Sequence, residues 1–345
     1  MIKNSGNLLR WFIVVAGISF ISFSFYAYQI FFTPNVNVDK KATYLLIPTG
    51  ATFQTALDSM NKHQLLYDEL SFMFLTKLLK YRDNVKPGRY LIEGNADNLD
   101  IIKKLKNGNQ APVTLTFNNL RLKKDLAKKL SLTLEPSEQE FLAALRDSVI
   151  ASSFGLDTNT IMVMFIPNSY EIYWNTGVKG LLDKMHKEYE KFWTEDRRTK
   201  ASEGGLTPVQ VSILASIVEA ESNNKAERPT IAGVYLNRLR KNMPLQADPT
   251  LVFAHQNFTI KRVYSGHKEI DSPYNTYKYT GLPPGPINLP SINAIDAVLN
   301  AEHHDYIYFC ASDSLNGTHD FAANYSQHQK NANKYQKALN KLKIK

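Results

Sequence analysis

The sequence predicts an α+β protein with an N-terminal transmembrane helix, a small mixed subdomain and a larger, mainly helical domain. Residues 11–32 form an apolar run without a charged side chain. Residues 42–110 alternate between strand-like and helix-like segments, and several later segments carry apolar residues at helical spacing. The chain has 345 residues, of which 43% are hydrophobic, and this is enough for two or three compact units.

The apolar run at 11–32 is long enough to span a bilayer once. Trp11 at its start and an aromatic group at its end suit the two membrane interfaces. It is too long for the apolar part of a cleaved signal peptide, and no small-x-small cleavage site follows it. We therefore predict an uncleaved signal anchor rather than a buried core helix. Basic residues lie on both sides and do not fix its orientation: Lys3, Arg10, Lys40 and Lys41.

Residues 42–110 are predicted to form a β-α-α-β unit after a short polar linker at 33–41. The predicted strands are 44–48 and 88–92, the helices between them are 53–63 and 69–81, and a further helix covers 99–106. This order resembles that of LysM-type carbohydrate-binding modules. Many small α+β domains share it, so sugar binding is one interpretation and a purely structural unit is the other.

The region 111–200 is predicted to begin with a strand at 113–117, two helices follow within 121–147, and a Lys-rich amphipathic helix covers 178–196. Between them lies the aromatic stretch FIPNSYEIYW, at 165–174. Such a stretch either lines a sugar groove or forms a loop held over the core, which is the commoner case.

The composition excludes several classes of function. The net charge is +9, but the sequence shows no zinc-ligand spacing, aromatic–basic RNA signature or arginine-rich stripe, so we predict no nucleic-acid partner. A solvated lysine surface, or attraction to an anionic membrane or cell wall, accounts for the charge. Cys310 is the single cysteine and lies in YIYFCA, predicted to be a buried strand. His319 and His328 lack a third ligand at suitable spacing, so we predict no metal and no cofactor.

The segment TPVQVSILASIVEAES predicts the central helix of the larger domain. Thr207 is a suitable N-cap, and Pro208 suits the first helical position. At about 100° per residue, one stripe of this helix carries Glu221 together with Gln210, Val211, Leu214, Ile217 and Val218.

The two glutamates of this helix are predicted to face opposite sides. Glu221 points toward the core in the last turn, where burial and the negative end of the helix dipole both raise a carboxyl pKa. A raised pKa suits a general acid. The alternative is a helix-end residue paired with a nearby cation such as Arg228. Glu219 is predicted to lie on the polar face with Ser212 and Ser216.

Five segments in order, SIVEAES, ER, VYLNRLRKNMPLQADPT, SPYNTYKYTGLPPGPI and GTHDF, resemble the endolytic murein transglycosylase family, also called MltG or YceG-like. The match covers roughly residues 160–330, and the membrane anchor with its LysM-like unit fits the usual arrangement of that family. Three positions depart from the family pattern: Ala220 replaces a frequent Lys, Ala247 a frequent Thr, and the stretch Asn288 to Ser291 a Pro-Gly ending.

The resemblance implies a lyase that cleaves the β-1,4 bond between N-acetylmuramic acid and N-acetylglucosamine in peptidoglycan. The C6 hydroxyl of the sugar attacks C1 and leaves a 1,6-anhydro end, so one residue serves as acid and then as base and a second carboxylate is unnecessary. By resemblance, the second Glu of the family's E-x-E motif is catalytic; here it is Glu221, followed by Ser222.

The resemblance also implies substrate contacts in a glycan-binding cleft. The candidate substrate-binding residues are Gln246, Asp248, Asn275, Tyr277 and Ser222. The alternative is that such polar groups satisfy the backbone of their own loops. Asp248, before a proline, also has the character of a residue that caps the start of a helix. Arg238 and Glu227 are candidates for an ion pair that frames the cleft.

The expected organisation follows from these assignments. It is a cytoplasmic N-terminus at 1–10, the anchor at 11–32, a linker at 33–41, the LysM-like subdomain at 42–110, a connecting region at 111–200 and the catalytic domain at 201–345. The catalytic domain is expected outside the cytoplasmic membrane. The expected partners are that membrane, nascent glycan strands, which the enzyme terminates or trims, and peptidoglycan synthases.

Two other functions remain open at this point. A muramidase would cut the same bond with water and would need a second carboxylate, such as Asp248 or Glu171. A peptidoglycan-binding scaffold would bind the wall without cleaving it. A buried acid without a function destabilises a protein, so the predicted position of Glu221 favours an enzyme.

Overall fold

The computed structural model describes residues 5–37, 42–118 and 120–341. The predicted N-terminus at 1–10 and linker at 33–41 therefore lie partly outside the described residues, as do Lys3, Lys40, Lys41 and the end of the catalytic domain. The described part is a mixed α+β structure with an apolar N-terminal helix and a mainly helical body, as predicted.

The helices are α1 Ser5–Phe32, α2 Phe53–Lys62, α3 Glu69–Leu78, α4 Asn98–Asn107, α5 Lys123–Ser131, α6 Glu138–Arg146, α7 Ser148–Ser153, α8 Val178–Phe192, α9 Glu195–Glu203, α10 Pro208–Glu221, α11 Arg228–Arg240, α12 Asp248–Ala254, α13 Ile292–Leu299 and α14 Tyr325–Lys341. The strands are β1 Ala42–Ile47, β2 Gly88–Glu93, β3 Val113–Thr116, β4 Ser169–Ile172, β5 Tyr308–Ala311 and β6 His319–Ala322. Within the described ranges they pair as β1–β2, β3–β4 and β5–β6.

The chain divides into two compact units. The smaller unit contains the described residues up to Thr114 together with 133–135 and 171–176, and the larger unit contains the rest. The latter two segments fall inside the region 111–200 of the sequence-based division.

The smaller unit is built on the antiparallel pair β1–β2, whose register runs from Ala42 opposite Glu93 to Ile47 opposite Gly88. Helices α2 and α3 lie between the two strands in the chain, and the predicted β-α-α-β order is confirmed. Alternate residues of β1 point inward: Leu45 and Ile47 are completely buried because side chains of a strand alternate between its two faces.

Helix α1 is long and apolar enough to cross a membrane: an 18-residue window within Asn7–Phe32 has a mean hydropathy of 1.9. Its last turn packs into the smaller unit, where Ile30 and Phe31 lie against the core. The residues that follow differ from the polar linker predicted at 33–41. Asn35 is buried and hydrogen-bonds to the backbone of Asp68 and to the side chain of Asn98.

The larger unit is organised around α10, which packs against α9, α11, α12 and α13. The predicted N-terminus of α10 is confirmed: Thr207 accepts a hydrogen bond from the backbone N–H of Gln210, whose side chain bonds back to Thr207. Every residue from 211 to 218 is buried. The helix is therefore a core element on all sides rather than an amphipathic surface helix.

Two further predictions differ in detail. The Lys-rich helix predicted at 178–196 is two helices, because the side chain of Thr194 caps a new helix by accepting from the N–H of Arg197. The strand with Cys310 is half-buried rather than buried. Burial still raises the pKa of the Cys310 thiol, which fits its interpretation as a packing residue.

Candidate active site

Glu221 is the last residue of α10, and its carboxylate meets α11. It accepts a 2.7 Å hydrogen bond from the hydroxyl of Tyr235, which is itself buried. Burial raises the pKa of Glu221 to about 7; the Tyr235 hydrogen bond opposes the rise, nearby Asp248 adds to it, and Arg238 opposes it. Near neutral pH both the acid and its conjugate base are therefore populated.

Asp248 stands at the start of α12 and faces the same cavity as Glu221. The hydroxyl of Tyr277 donates a 2.5 Å hydrogen bond to its Oδ1. Burial raises the pKa of Tyr277, and the bond to Asp248 raises it further. The phenol therefore stays a donor at neutral pH and fixes the orientation of the Asp248 carboxylate.

The cavity that holds both carboxylates has a volume of about 600 Å³ and lies in the larger unit. It is within the size range of ligand sites in proteins. Its walls come from the end of α10, from α12, from the segment 258–263 and from the loop before α13. The lining residues that carry polar or aromatic side chains are Arg121, Glu219, Glu221, Asn223, Arg228, Asp248, Phe253, Phe258, Lys261 and Asn288.

The prediction that Glu219 faces solvent is wrong. Its carboxylate accepts hydrogen bonds from the backbone N–H and the hydroxyl of Ser291 at 2.8 and 2.6 Å, and it lies 3.3 Å from Arg228. Arg228 is thus paired with Glu219, and the alternative pairing of Arg228 with Glu221 is wrong. The helical wheel placed Glu219 away from Glu221, but the side it faces is covered by the loop before α13.

Arg238 and Glu227 do not form the predicted ion pair. Glu227 instead binds His319, with its Oε2 at 3.1 Å from the imidazole Nδ1. Arg238 is buried and donates hydrogen bonds to the carbonyls of Leu245 and Ile307. The guanidinium therefore fixes the loop that leads into Asp248.

The predicted substrate-binding residues separate into two groups. Asp248 lines the cavity, whereas Ser222, Gln246, Asn275 and Tyr277 do not. Tyr277 acts on the site through its bond to Asp248. Gln246 is exposed, has a positive φ of 51°, and its Oε1 accepts from Arg238 at 3.3 Å.

Two of the candidates are structural in this arrangement. Asn275 is completely buried, and its amide donates to the carbonyls of Lys268 and Ile270 and accepts from two N–H groups of its own loop. Ser222 is buried, and its hydroxyl accepts from the N–H of Asn224. Both match the alternative stated for them, that such groups satisfy loop backbone.

Two site residues were missed by the sequence reasoning. Tyr235 was not among the predicted site residues, although its phenol is the direct partner of Glu221. Arg121 lines the cavity with its guanidinium 4.8 Å from the ring centre of Phe258. A tyrosine on an apolar helix face carries a hydroxyl that needs a partner, which was the available signal for Tyr235; Arg121 offered none.

The stretch that departs from the family pattern is tied to α10. The N–H of Ile287 donates to the hydroxyl of Ser216, and the amide of Asn288 donates to the carbonyl of Ser216.

Within the residues that the structure describes, no group of three or more His, Cys, Asp or Glu side chains is arranged to hold a metal.

The chain is similar to known proteins over most of its length. A family model described as the YceG-like family matches residues 45–334. The chain is 30% identical over 344 residues to an endolytic murein transglycosylase of Streptococcus pneumoniae serotype 2 (strain D39), covering 89% of this chain and 61% of that protein. An endolytic murein transglycosylase of Bacillus subtilis (strain 168) is 28% identical over 317 residues, with 87% of each chain covered.

The fold also resembles a solved structure. The crystal structure of a yceG-like protein from Listeria monocytogenes matches with a TM-score of 0.56 and 24% identity, covering 84% of this chain and 98% of that one. The chain spans 61% of the length of the Streptococcus pneumoniae relative. Because the family model matches most of the chain, from residue 45 to residue 334, the protein belongs to the YceG-like family.

Proposed function

We propose that the protein is a membrane-anchored lytic transglycosylase that cuts the β-1,4 bond between N-acetylmuramic acid and N-acetylglucosamine inside peptidoglycan strands. The observation that carries the proposal is Glu221, a carboxyl whose pKa burial raises to about 7 and which lines a cavity of about 600 Å³. The names of the relatives, endolytic murein transglycosylases, support the same activity.

The proposed reaction uses Glu221 twice. Its carboxyl donates a proton to the glycosidic oxygen as the bond to C1 breaks. The C6 hydroxyl of the same muramic acid then forms the new bond to C1, and its proton passes to the Glu221 carboxylate. The products are a free hydroxyl on one fragment and a 1,6-anhydro end on the other, and no water is consumed. Tyr235 orients the carboxylate through its 2.7 Å hydrogen bond.

Mass spectrometry of the fragments that the full-length protein releases from purified sacculi tests this proposal. Anhydro ends are expected, and Glu221→Gln should abolish their release. If the purified protein binds sacculi but releases no fragments, the scaffold interpretation replaces the enzyme.

A second candidate is a muramidase, and one observation favours it. Asp248 shares the cavity with Glu221 and is held by Tyr277 at 2.5 Å, as a base that activates water would be. Glu171, the other carboxylate considered, belongs to the smaller unit and does not line this cavity. Fragments with reducing ends, lost in Asp248→Asn, would establish hydrolysis. Under the transglycosylase proposal Asp248 positions substrate, and Asp248→Asn still yields anhydro ends.

The remaining assignments are proposals of the same kind. Helix α1 is the single-pass anchor in the cytoplasmic membrane, the bulk of the chain lies outside the cytoplasm, and residues 201–345 carry the catalysis. The smaller unit is LysM-like and places the enzyme on nascent glycan, where it terminates strands beside peptidoglycan synthases. Protease added to intact spheroplasts should digest the larger unit together with a periplasmic control protein. If the larger unit survives while the control is digested, the proposed topology is wrong.

A further inference from the structure

One side of helix α3 in the smaller unit is apolar and uncovered. Its inner side carries Phe72 and Leu75, both completely buried. Its outer side carries Leu70, Phe74 and Leu78, four residues apart and therefore on one stripe. These side chains are 74%, 56% and 56% exposed, and Tyr67, just before the helix, is 78% exposed. Four large apolar side chains together mark an interaction surface rather than ordinary surface variation.

This surface, the apolar face of α3 (Tyr67, Leu70, Phe74 and Leu78), begins next to the end of α1. The backbone N–H of Tyr67 donates to the carbonyl of Asn35 at 3.0 Å, and the N–H of Asp68 donates to the Asn35 side chain at 2.7 Å. Asn35 follows the last residue of α1, Phe32, by three positions. Three residues span at most about 10 Å, so the apolar face starts within that distance of the end of α1.

The end of α1 is joined to the same unit. Ile30 and Phe31 pack against its core, the carbonyl of Ile30 accepts a 3.0 Å hydrogen bond from the side chain of Asn98, and α1 packs against α3 and α4. If α1 spans a bilayer, these contacts hold α3 at the level of the lipid headgroups.

The chemistry of the face suits that level. It mixes aliphatic and aromatic side chains, and at about 100° per residue Lys77 falls on the same arc. Interfacial amphipathic helices carry such a combination: apolar groups reach the boundary of the acyl chains, while lysine meets anionic headgroups. Tyrosine is enriched at the same depth.

We propose that the apolar face of α3 lies in the interfacial layer of the bilayer that α1 spans, as a second membrane contact of this protein. The proposal rests on α1 being a membrane anchor and is independent of the reaction at Glu221. Continuity with α1 selects lipid as the occupant over a second protein or a glycan strand.

Site-specific fluorescence in vesicles tests the proposal. Cys310, the single cysteine, is replaced by Ser, and Phe74→Cys or Leu78→Cys is labelled with a polarity-sensitive dye in the full-length chain. The vesicles contain phosphatidylglycerol and phosphatidylethanolamine, with or without lipids that carry a spin label near the headgroup. Gln54→Cys, exposed on α2 of the same unit, is the matched control.

The spin-labelled lipids are expected to quench the dye at 74 and 78 several-fold more strongly than the dye at 54, and emission at 74 and 78 should shift to the blue. Two results would overturn the proposal. One is equal, weak quenching at all three positions. The other is a dye at 74 that is shielded from aqueous iodide but not quenched by lipid, which would mean that protein covers the face. A second pair of variants, Leu70→Cys and Glu69→Cys, repeats the comparison within α3 should labelling at 74 perturb folding.

Discussion

The two sides of helix α10 use the same residue type for opposite purposes. Glu219 is tied to Arg228 and to the N–H and hydroxyl of Ser291, so its charge is compensated and its oxygens are occupied. Among the residues that the structure describes, Glu221 has one direct side-chain partner, the phenol of Tyr235, and burial raises its pKa to about 7. A carboxylate becomes a structural anchor or a candidate acid according to what its neighbours supply, and sequence spacing alone does not distinguish the two.

The largest expected effect is the loss of turnover when Glu221 is replaced. Glu221→Gln preserves the shape and the hydrogen bond but cannot transfer a proton, so turnover should fall by at least about 10²–10⁴-fold, the usual contribution of general acid–base catalysis. Release of anhydro-ended fragments measures turnover, and a thermal melt serves as the folding control. If Glu221→Gln keeps its activity, Glu221 is not the proton donor, and the two glutamates do not differ in the proposed way.

The pH dependence should show the same asymmetry. Glu221 has to be protonated to donate, so kcat/KM is expected to fall above pH about 7, by about tenfold per pH unit well above the pKa. Stability should also depend on this proton. Because folding raises the pKa of Glu221 from its ordinary value of 4.5 to about 7, the stability that protonated Glu221 contributes is fully present below pH about 4.5 and is lost as the pH rises through about 7.

Melting temperatures of wild type and Glu221→Gln across this range test the second part. The wild type should lose stability relative to the variant between pH about 4.5 and about 7. A constant difference between the two proteins across that range would mean that the Glu221 carboxyl does not titrate with a raised pKa.

Replacing Glu219 should lower the stability of the fold and leave the reaction itself intact. Glu219→Gln leaves the Arg228 guanidinium, which is 5% exposed beside a carboxylate that is 20% exposed, without its counter-charge. Removing one partner of a fully buried pair costs about 3–5 kcal/mol, and partial exposure reduces this to about 1–3 kcal/mol. Urea unfolding measures the loss. Below the melting transition the variant should still release anhydro ends, and an inactive but fully stable variant would mean that Glu219 takes part in the chemistry.

The smallest effect is expected at the partner of Glu221. Tyr235→Phe removes the hydrogen bond that lowers the pKa of Glu221, so the alkaline limb of the pH–rate profile should move to higher pH, by about one unit for a bond of this kind. The rate at the optimum should fall less than tenfold. An unmoved limb would show that the Tyr235 hydroxyl does not set the proton affinity of the acid.

The sequence was informative where local chemistry decides the structure. Thr207 and Pro208 start α10 as predicted because capping and a fixed φ act within one turn. The β-α-α-β order of the smaller unit was predictable for the same reason, since alternating and helical patterns are local. The raised pKa of Glu221 followed from its place on the apolar stripe.

The failures concern contacts between segments far apart in the chain. Ser291, which binds Glu219, and His319, which binds Glu227, lie 72 and 92 positions away from those glutamates, and no sequence periodicity predicts such a contact. Asn275 was a reasonable candidate for sugar binding as a polar residue on a stiff loop. Its burial depends on the folded path of the loop around it, which the sequence pattern does not give.

Asn35 has a mechanical consequence. Because its side chain and backbone bind Tyr67 and Asp68 three residues after the end of α1, helix α1 is joined firmly to the rest of the smaller unit. With α1 as the proposed membrane anchor, a change in its tilt, for instance in a thinner bilayer, would rotate the rest of the smaller unit with it. One residue inserted between Phe32 and Asn35 would turn this unit about the helix axis by roughly 100° if the helix extended through it, whereas a flexible tether would absorb the same insertion without effect.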